Sequence, residues 1–428
     1  MNQDIHIPAL ARVEGEGALT IRVKDGEINE ILLNIYEPPR FFEGFLHGRY
    51  FQDVPDITAR ICGICPVAYQ MSSVQALEAA MQVTISPELR LLRQLLYCAE
   101  YIESHALHIY LLQAPDLVKQ ESAISLAAEA PDLVKNALRL KKAGNELLKI
   151  IGGRSVHPVN ACVGGFYRWP DEAAIHALVP ELEWARQASI DTVTWAATLD
   201  YPDFEQDYEF VALNRVEEYA IYDGDILSSK GKRISPVDFE KNYIETHVER
   251  SNALHSHTLK NSTYFVGPLA RFNLNYKKLR NMAREAASSI RLKPPLRNPY
   301  KGLLARAVEL VHVCDLAIEL ANAYHPQGPS HVEFTVQPGE GWGVSEAPRG
   351  LLYHRYVVDE QGLVRFARIT PPTAQNFAQM EADLWALAPS VVTQPQEEAS
   401  LTFEHLLRSY DPCISCATHF LKLNIERV

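Results

Sequence analysis

Two cysteine pairs, Cys62-Gly63-Ile64-Cys65 and Cys413-Ile414-Ser415-Cys416, carry the clearest chemistry in this chain. On a turn or a first helical turn, a Cys-x-x-Cys spacing points two sulfurs the same way, close enough to grip one metal. Each pair alone is shared by redox dithiols and half zinc sites. Two pairs in one chain favour a single four-thiolate site, and such soft ligands select zinc, nickel, copper(I) or iron-sulfur centres over magnesium or calcium. The pairs stand near opposite ends of the 428 residues, unlike the short spacing of zinc ribbons. One metal held by both therefore ties the ends together and interleaves the lobes between them.

The remaining three of the seven cysteines read differently. Cys98 lies in residues 86–112 and Cys314 in residues 302–324, where apolar residues recur every three or four positions. Both are expected to be small buried hydrophobes on helix faces. Cys162 follows the stretch Gly152-Gly153-Arg154-Ser155-Val156-His157-Pro158, and nothing in its type or spacing assigns it a role. His105 and His108, three apart on one predicted helix face, can ligate a metal by themselves or hydrogen-bond near the cysteines, and the second role is the expected one.

The elements that must position these groups are mostly helical. Ser86 predicts an N-cap with Pro87 at the first helical position, and Leu89, Leu92, Leu96, Ala99, Ile102, Ala106 and Ile109 form one apolar stripe. Further helices are predicted over 131–151, stopped at Gly152-Gly153, over 172–198 and over 276–290. At the N-terminus, 18–24 and 28–36 alternate around an Asp25-Gly26 turn as a hairpin. Short strands are expected at 208–213 and 219–222, and a small antiparallel sheet at 331–336, 350–358 and 364–369 with a Gln361-Gly362 turn. The expected fold class is mainly α with peripheral β elements, a helical bundle. Length alone suggests about three lobes, but the paired cysteines argue for one interleaved catalytic unit over 1–428. Within it, 1–75 hold the hairpin and first cysteine pair, 76–330 the bundle with a β insertion near 203–247, and 331–428 the C-terminal β elements and second pair.

Composition narrows the function classes. Hydrophobic residues at 47% and charged residues at 22% are those of a globular chain and exclude a disordered or collagenous one. A net charge of −12 disfavours a phosphate backbone, so no nucleic-acid partner is expected. No apolar run reaches the roughly 18 residues of a membrane span. Residues 1–10 contain Asp4 and no Lys or Arg, unlike a secretory signal. A cytoplasmic location with reduced thiols is expected.

The flanked pairs, Arg60-Ile61-Cys62-Gly63-Ile64-Cys65-Pro66 and Asp411-Pro412-Cys413-Ile414-Ser415-Cys416-Ala417-Thr418-His419, resemble the paired signatures of nickel-iron hydrogenase large subunits. Arg12-Val13-Glu14-Gly15, Arg40-Phe41-Phe42-Glu43-Gly44, Ser104-His105-Ala106-Leu107-His108, Glu346-Ala347-Pro348-Arg349-Gly350 and Pro372-Thr373-Ala374-Gln375-Asn376 resemble further motifs of that family, in its order. The cytoplasmic, NAD(P)-linked bidirectional type fits best, since the chain is compact.

The resemblance implies that Cys62, Cys65, Cys413 and Cys416 hold nickel, with Cys65 and Cys416 bridging to an iron that carries cyanide and carbonyl ligands. The implied reaction is reversible heterolytic cleavage of dihydrogen, with the Cys413 thiolate as base and Glu14 relaying the proton. Read on its own, Glu14 is a solvated carboxylate ahead of a hairpin. Arg349, otherwise a surface arginine before glycine, resembles the guanidinium suspended over the metal pair beside Pro348, with Asp116 and Asp411 as its carboxylate neighbours. Thr373 resembles a hydroxyl donor to cyanide, and His105 a group supporting the site. Glu43 and His419 resemble ligands of a magnesium or similar cation. Implied partners are a small iron-sulfur subunit, flavin- and iron-sulfur-containing NAD(P)-reducing subunits, a maturation endopeptidase and nickel-insertion factors.

Two departures stand out. The first motif commonly ends in His, whereas Tyr69 stands here, and its phenol is an alternative donor to a thiolate. Family precursors are cleaved after the final histidine, so 420–428 are expected to be removed. Competing classes are a structural four-cysteine zinc protein, which leaves the other motifs unexplained, and a respiratory-complex relative of hydrogenases, which typically loses the thiols kept here. No Gly-x-Gly-x-x-Gly fingerprint follows a strand, so nicotinamide binding is expected on another subunit.

Overall fold

The computed structural model describes residues 3–24 and 27–418. Its helices surround the long, almost wholly buried helix Gly302–Ala323, against which Pro87–Leu107 and Val179–Ala196 pack. The Ser86 hydroxyl accepts from the Leu89 N–H and caps Pro87–Leu107, whose predicted stripe is buried. Pro131–Gly152 ends at Gly153 in the left-handed conformation. Cys98 and Cys314 are buried on their helices, and burial pushes the Cys98 thiol far up and that of Cys314 to about 12. No helix among the described residues is long and apolar enough to cross a membrane.

The N-terminal hairpin forms from Gly17–Lys24 and Glu27–Ile35, with Leu19 opposite Leu33 and Ile21 opposite Ile31 on the buried face. Its Asp25-Gly26 turn lies outside the described residues. Gln3–Ile7 adds a third, antiparallel strand that the sequence reading lacked.

Several predicted elements are corrected. The single helix over 172–198 is two, Glu172–Ala177 and Val179–Ala196, because Pro180 has no N–H to continue the first. The helix over 276–290 begins only at Asn281, since the Arg280 N–H turns to the His312 Nδ1 at 3.2 Å; an unpredicted helix, Pro268–Asn275, precedes it. Residues 219–222 are irregular, and the strand expected at 208–213 is Val211–Asn214.

The C-terminal sheet runs Gly339–Ala347, Gly350–Val358 and Val364–Thr370, all antiparallel. Its first strand is therefore not 331–336. Gly339, Gly341 and Gly343 disguise it, because they lack β-forming side chains. A Cβ at each would collide with the backbone of the helix Pro66–Met81, at Ala80, Ala76 and Ser72 in turn. Three glycines at a period of two let this strand lie directly on the helix that starts at the first cysteine pair.

The segments around Glu14 and Cys413, near opposite ends of the sequence, meet. Glu14 and Cys413 form an isolated parallel bridge, with the Ile414 N–H donating to the Glu14 carbonyl at 2.8 Å. Gly15, at φ 90°, allows it: a Cβ there would stand 2.8 Å from the Ile414 Cβ and 2.9 Å from the Ser415 nitrogen.

Candidate metal centre

The two cysteine pairs converge, as expected of one four-thiolate site. Cys65 precedes the helix Pro66–Met81, whose first residue is proline, and Cys413 precedes the short helix Ile414–Ala417. The Sγ atoms of Cys62, Cys65, Cys413 and Cys416 lie within 4.8 Å of one another, and all four residues are buried. Cys62 Sγ stands 2.8 Å from Cys65 Sγ and 3.7 Å from Cys413 Sγ, and accepts the N–H groups of Ile64 and Cys65 at 3.3 and 3.1 Å.

Burial raises every thiol in such a cluster. Cys62 is nevertheless held well below the usual thiol range by hydrogen bonds from Cys413, Cys416 and Cys65. Burial first and neighbouring sulfurs second push Cys65, Cys413 and Cys416 well above it. A cation bound among the four sulfurs favours the thiolate form of each. The donor set fits a soft metal ion.

Polar groups hold the two cysteine loops in place. Arg40 spans both, donating to the carbonyls of Ile61 at 2.7 Å, Arg60 at 3.1 Å and Ser415 at 3.4 Å. Glu100, from the neighbouring helix, accepts the N–H groups of Val67 and Ala68 at 2.6 and 3.2 Å and caps the helix that Cys65 opens. Thr373 Oγ1 accepts the Cys413 N–H at 2.9 Å, which leaves its own proton to donate. Burial first, and then the neighbouring sulfurs of Cys416, Cys65 and Cys413, push the Tyr69 phenol well above its ordinary value. A protonated phenol is what the sulfurs meet where the motif commonly has an imidazole.

Glu14 and Arg349 flank the sulfurs. The Glu14 Oε2 accepts from the Cys413 thiol at 3.0 Å and from the Ser415 N–H at 3.1 Å. Arg349 sits with Pro348 on the two-residue turn between Gly339–Ala347 and Gly350–Val358. Its Nε donates to the Asp411 carbonyl at 3.0 Å, its Nη2 pairs with the Asp411 Oδ1 at 3.0 Å, and its Nη1 lies 4.0 Å from the Cys65 Sγ. Burial opposes ionisation of Asp411, yet the guanidiniums of Arg349 and Arg306 hold its carboxyl below the usual range.

Asp116, expected as the other neighbour of Arg349, stands elsewhere. It is a hydrogen-bonded partner of Arg12, and Arg408 Nε and Nη2 grip its two oxygens at 2.7 and 2.8 Å. Two guanidiniums make three hydrogen bonds to it, using most of a carboxylate's roughly four acceptor sites. His105 and His108 also part company: His105 Nε2 meets Glu309 Oε2 at 2.9 Å, and His108 Nε2 meets the Arg408 carbonyl at 3.0 Å. Burial lowers His108 to about 3, so it stays neutral and donates.

Glu309 leads to a network that sequence reasoning missed. It chelates Arg271 Nε and Nη2 at 2.7 and 2.8 Å and accepts from the Tyr219 hydroxyl at 2.5 Å. Arg271 in turn donates to the carbonyls of Ala347 at 3.0 Å and Pro348 at 2.9 Å and pairs with Glu346 at 3.0 Å. Arg271 thereby pins the turn that carries Arg349, and His105 supports it through Glu309. The available signal was Glu309 itself, a carboxylate set between Val308 and Leu310 in the most apolar stretch of its helix.

Glu43 accepts the Ile369 N–H at 2.8 Å, and burial raises it to about 7. Burial and the charge of Glu43 raise Glu245 to about 8, so two carboxyls that repel each other face one place. His419, the other expected cation ligand, and the expected cleaved tail 420–428 lie outside the described residues.

A family profile described as nickel-dependent hydrogenase matches residues 40–136 and 218–419. Sulfhydrogenase 1 subunit alpha of Pyrococcus furiosus is 35% identical over 98% of this chain and 98% of its own length, and the organism's sulfhydrogenase 2 subunit alpha is 34% identical over 98% and 100%. The subunit beta of the NAD-reducing hydrogenase HoxS of Cupriavidus necator is 27% identical over 98% of this chain and 96% of that one. Among solved structures, an NAD+-reducing [NiFe]-hydrogenase in its H2-reduced state superposes with a TM-score of 0.89 at 26% identity, covering 97% of this chain and 99% of that one. A [NiFeSe]-hydrogenase from Dm. baculatum shares the fold, with a TM-score of 0.76 at 22% identity, covering 98% of this chain and 100% of that one.

Proposed function

The chain belongs to the nickel-dependent hydrogenase family, and from that premise we propose how its residues serve the reversible cleavage of dihydrogen. It is the large, catalytic subunit of a nickel-iron hydrogenase. Cys62, Cys65, Cys413 and Cys416 would hold nickel and iron, the iron carrying cyanide and carbonyl ligands and Cys65 and Cys416 being the sulfurs both metals would use. The bound metal pair supplies heterolytic splitting of dihydrogen.

The chain's own residues handle the proton and the geometry. The Cys413 sulfur is the first base, and the Glu14 carboxylate at 3.0 Å takes the proton outward. This contact is the observation that carries the reading, since it couples a ligand sulfur to an acceptor on the opposite end of the chain. Arg349, fixed by Asp411 and by the Arg271-pinned turn, holds a guanidinium beside the Cys65 sulfur, where it would face the bound metal pair. Thr373 offers its proton to a cyanide ligand, and Glu43 with His419 binds magnesium or a similar cation, a role the raised Glu43 and Glu245 support. Asp116 acts on the centre only through Arg12 and Arg408.

We read 1–428 as one interleaved, cytoplasmic catalytic unit, joined at Glu14 and Cys413. The name of the HoxS relative and the superposition on an NAD+-reducing enzyme support NAD(P) as final acceptor. Electrons leave through a small iron-sulfur subunit to flavin- and iron-sulfur-containing subunits, because this chain has no further cysteine cluster among its described residues. A maturation endopeptidase removes 420–428 after nickel insertion. A zinc protein or a respiratory-complex relative accounts for neither the Glu14–Cys413 nor the Arg349–Cys65 contact. Metal analysis with infrared spectroscopy of the purified complex, followed by hydrogen-dependent reduction of NAD+ and NADP+, tests the reading. About one nickel per large subunit, iron in excess of nickel because of the iron-sulfur subunits, and cyanide and carbonyl bands are expected; zinc in place of nickel overturns it.

A further inference from the structure

A second cluster of ligand-type side chains lies where the helix Glu172–Ala177 meets the chain leaving Gly302–Ala323. Glu172, His176 and His325 each offer one ligand atom, and the three atoms lie within 4.8 Å of one another. Glu172 and His176 are four apart and share a helix face. His325 Nδ1 meets the Glu172 Oε1 at 2.6 Å, and the two imidazoles pack edge to face with centroids 5.4 Å apart. His176 Nε2 is shielded from solvent and has no hydrogen-bond partner among the described residues.

The two segments are held together independently of these side chains. The Tyr324 hydroxyl donates to the Pro170 carbonyl at 3.0 Å, the Trp169 indole to the Gly328 carbonyl at 2.9 Å, and Asp171 accepts the Ala173 N–H at 2.9 Å as the helix cap. The ligand atoms are thus brought together by a framework that does not depend on them.

We propose that Glu172, His176 and His325 bind one divalent transition-metal ion of the zinc class, separate from the catalytic centre, and that this ion staples the Glu172–Ala177 helix to the end of Gly302–Ala323. Two imidazoles and a carboxylate are a borderline donor set suited to zinc, cobalt or nickel, and three protein ligands leave a fourth tetrahedral position for water. Bonds of about 2.0–2.1 Å place tetrahedral ligand atoms roughly 3.3 Å apart. The spread of up to 4.8 Å closes by side-chain rotation, because Glu172 and His325 are 40% and 62% exposed. A plain Glu172–His325 hydrogen bond explains two of the three side chains and leaves the His176 nitrogen unsatisfied. A metal ion explains all three.

The test uses tag-free holoenzyme with its cysteine centre filled, stripped of loosely held metal and titrated with Co2+ alone. One equivalent is expected to bind with weak visible bands, without sulfur-to-cobalt charge-transfer absorption, and to be displaced by Zn2+. His176→Ala, His325→Ala and the isosteric Glu172→Gln should each weaken binding by about tenfold or more, with hydrogenase activity kept as proof of folding. His6→Ala, an exposed position on the strand Gln3–Ile7, should leave it unchanged. Zn2+ should raise the thermal midpoint of the wild type and not of the variants. Absence of saturable uptake, uptake surviving all three substitutions, or cobalt bound with thiolate charge-transfer bands in its place overturns the proposal.

Discussion

The Glu14 carboxylate accepts a hydrogen bond from the Cys413 thiol at 3.0 Å while also receiving the Ser415 N–H. The backbone N–H fixes the carboxylate, so the thiol proton meets an acceptor already in position. Glu14→Gln keeps the shape and the Ser415 contact but removes the basicity. Exchange between deuterium gas and water should fall by about 10²–10⁴-fold, the usual range for a lost general base, with nickel and iron content unchanged. Undiminished exchange excludes the relay.

What the sequence discloses of this arrangement follows from the range of the interactions. The cysteine spacing and the Ser86 cap are local, and the structure places both as read. The strand Gly339–Ala347 escapes because its glycines answer to a helix far away in sequence, at Ser72, Ala76 and Ala80. The choice of partner by a buried charge is equally non-local. Asp116 lies with Arg12 and Arg408, and Arg271 with Glu309 and Glu346, pairings that no spacing encodes. Family resemblance named Arg349 and Asp411, whereas the part that Arg40, Glu100 and Arg271 play in holding the surrounding loops needed the fold.

Arg349 reaches Asp411 through two separate atoms, Nε to the carbonyl and Nη2 to the carboxylate. A lysine keeps the charge but has no such fork. Arg349→Lys should therefore retain the metals and lose about 10²–10³-fold in hydrogen-dependent dye reduction, the range seen when one pre-positioned electrostatic donor is removed. The cyanide bands should shift in the same sample. Full activity in this variant would show that charge alone suffices.

Gly341 faces the backbone of Ala76 and Ala80 so closely that a methyl group has no room. Gly341→Ala forces the strand off the helix behind Cys65 and should cost roughly 1–3 kcal/mol as overpacking, visible as a lower thermal midpoint. Glu340→Ala, one residue earlier, removes only an exposed contact with Arg355 and should cost about 0–1 kcal/mol. Equal effects at the two positions would refute the close approach.

Asp383 accepts the hydroxyls of Tyr208 and Tyr410, each at 2.6 Å, and so fixes the chain just ahead of Asp411 and Cys413. Burial raises its carboxyl to about 6 against the lowering effect of Tyr208, Tyr410 and Gln379. The folded protein therefore holds this proton more tightly than the unfolded chain. The associated stability is fully present below about pH 4, the unfolded value, and is lost as pH rises through about 6. A displacement of about two units corresponds to roughly 3 kcal/mol. Asp383→Asn keeps an oxygen for the tyrosines and cannot ionise. Denaturation midpoints of wild type and variant should thus diverge between pH 4 and 7, the wild type losing stability relative to the variant as pH rises. Parallel profiles across that window would show that Asp383 is ionised at no cost in the folded protein.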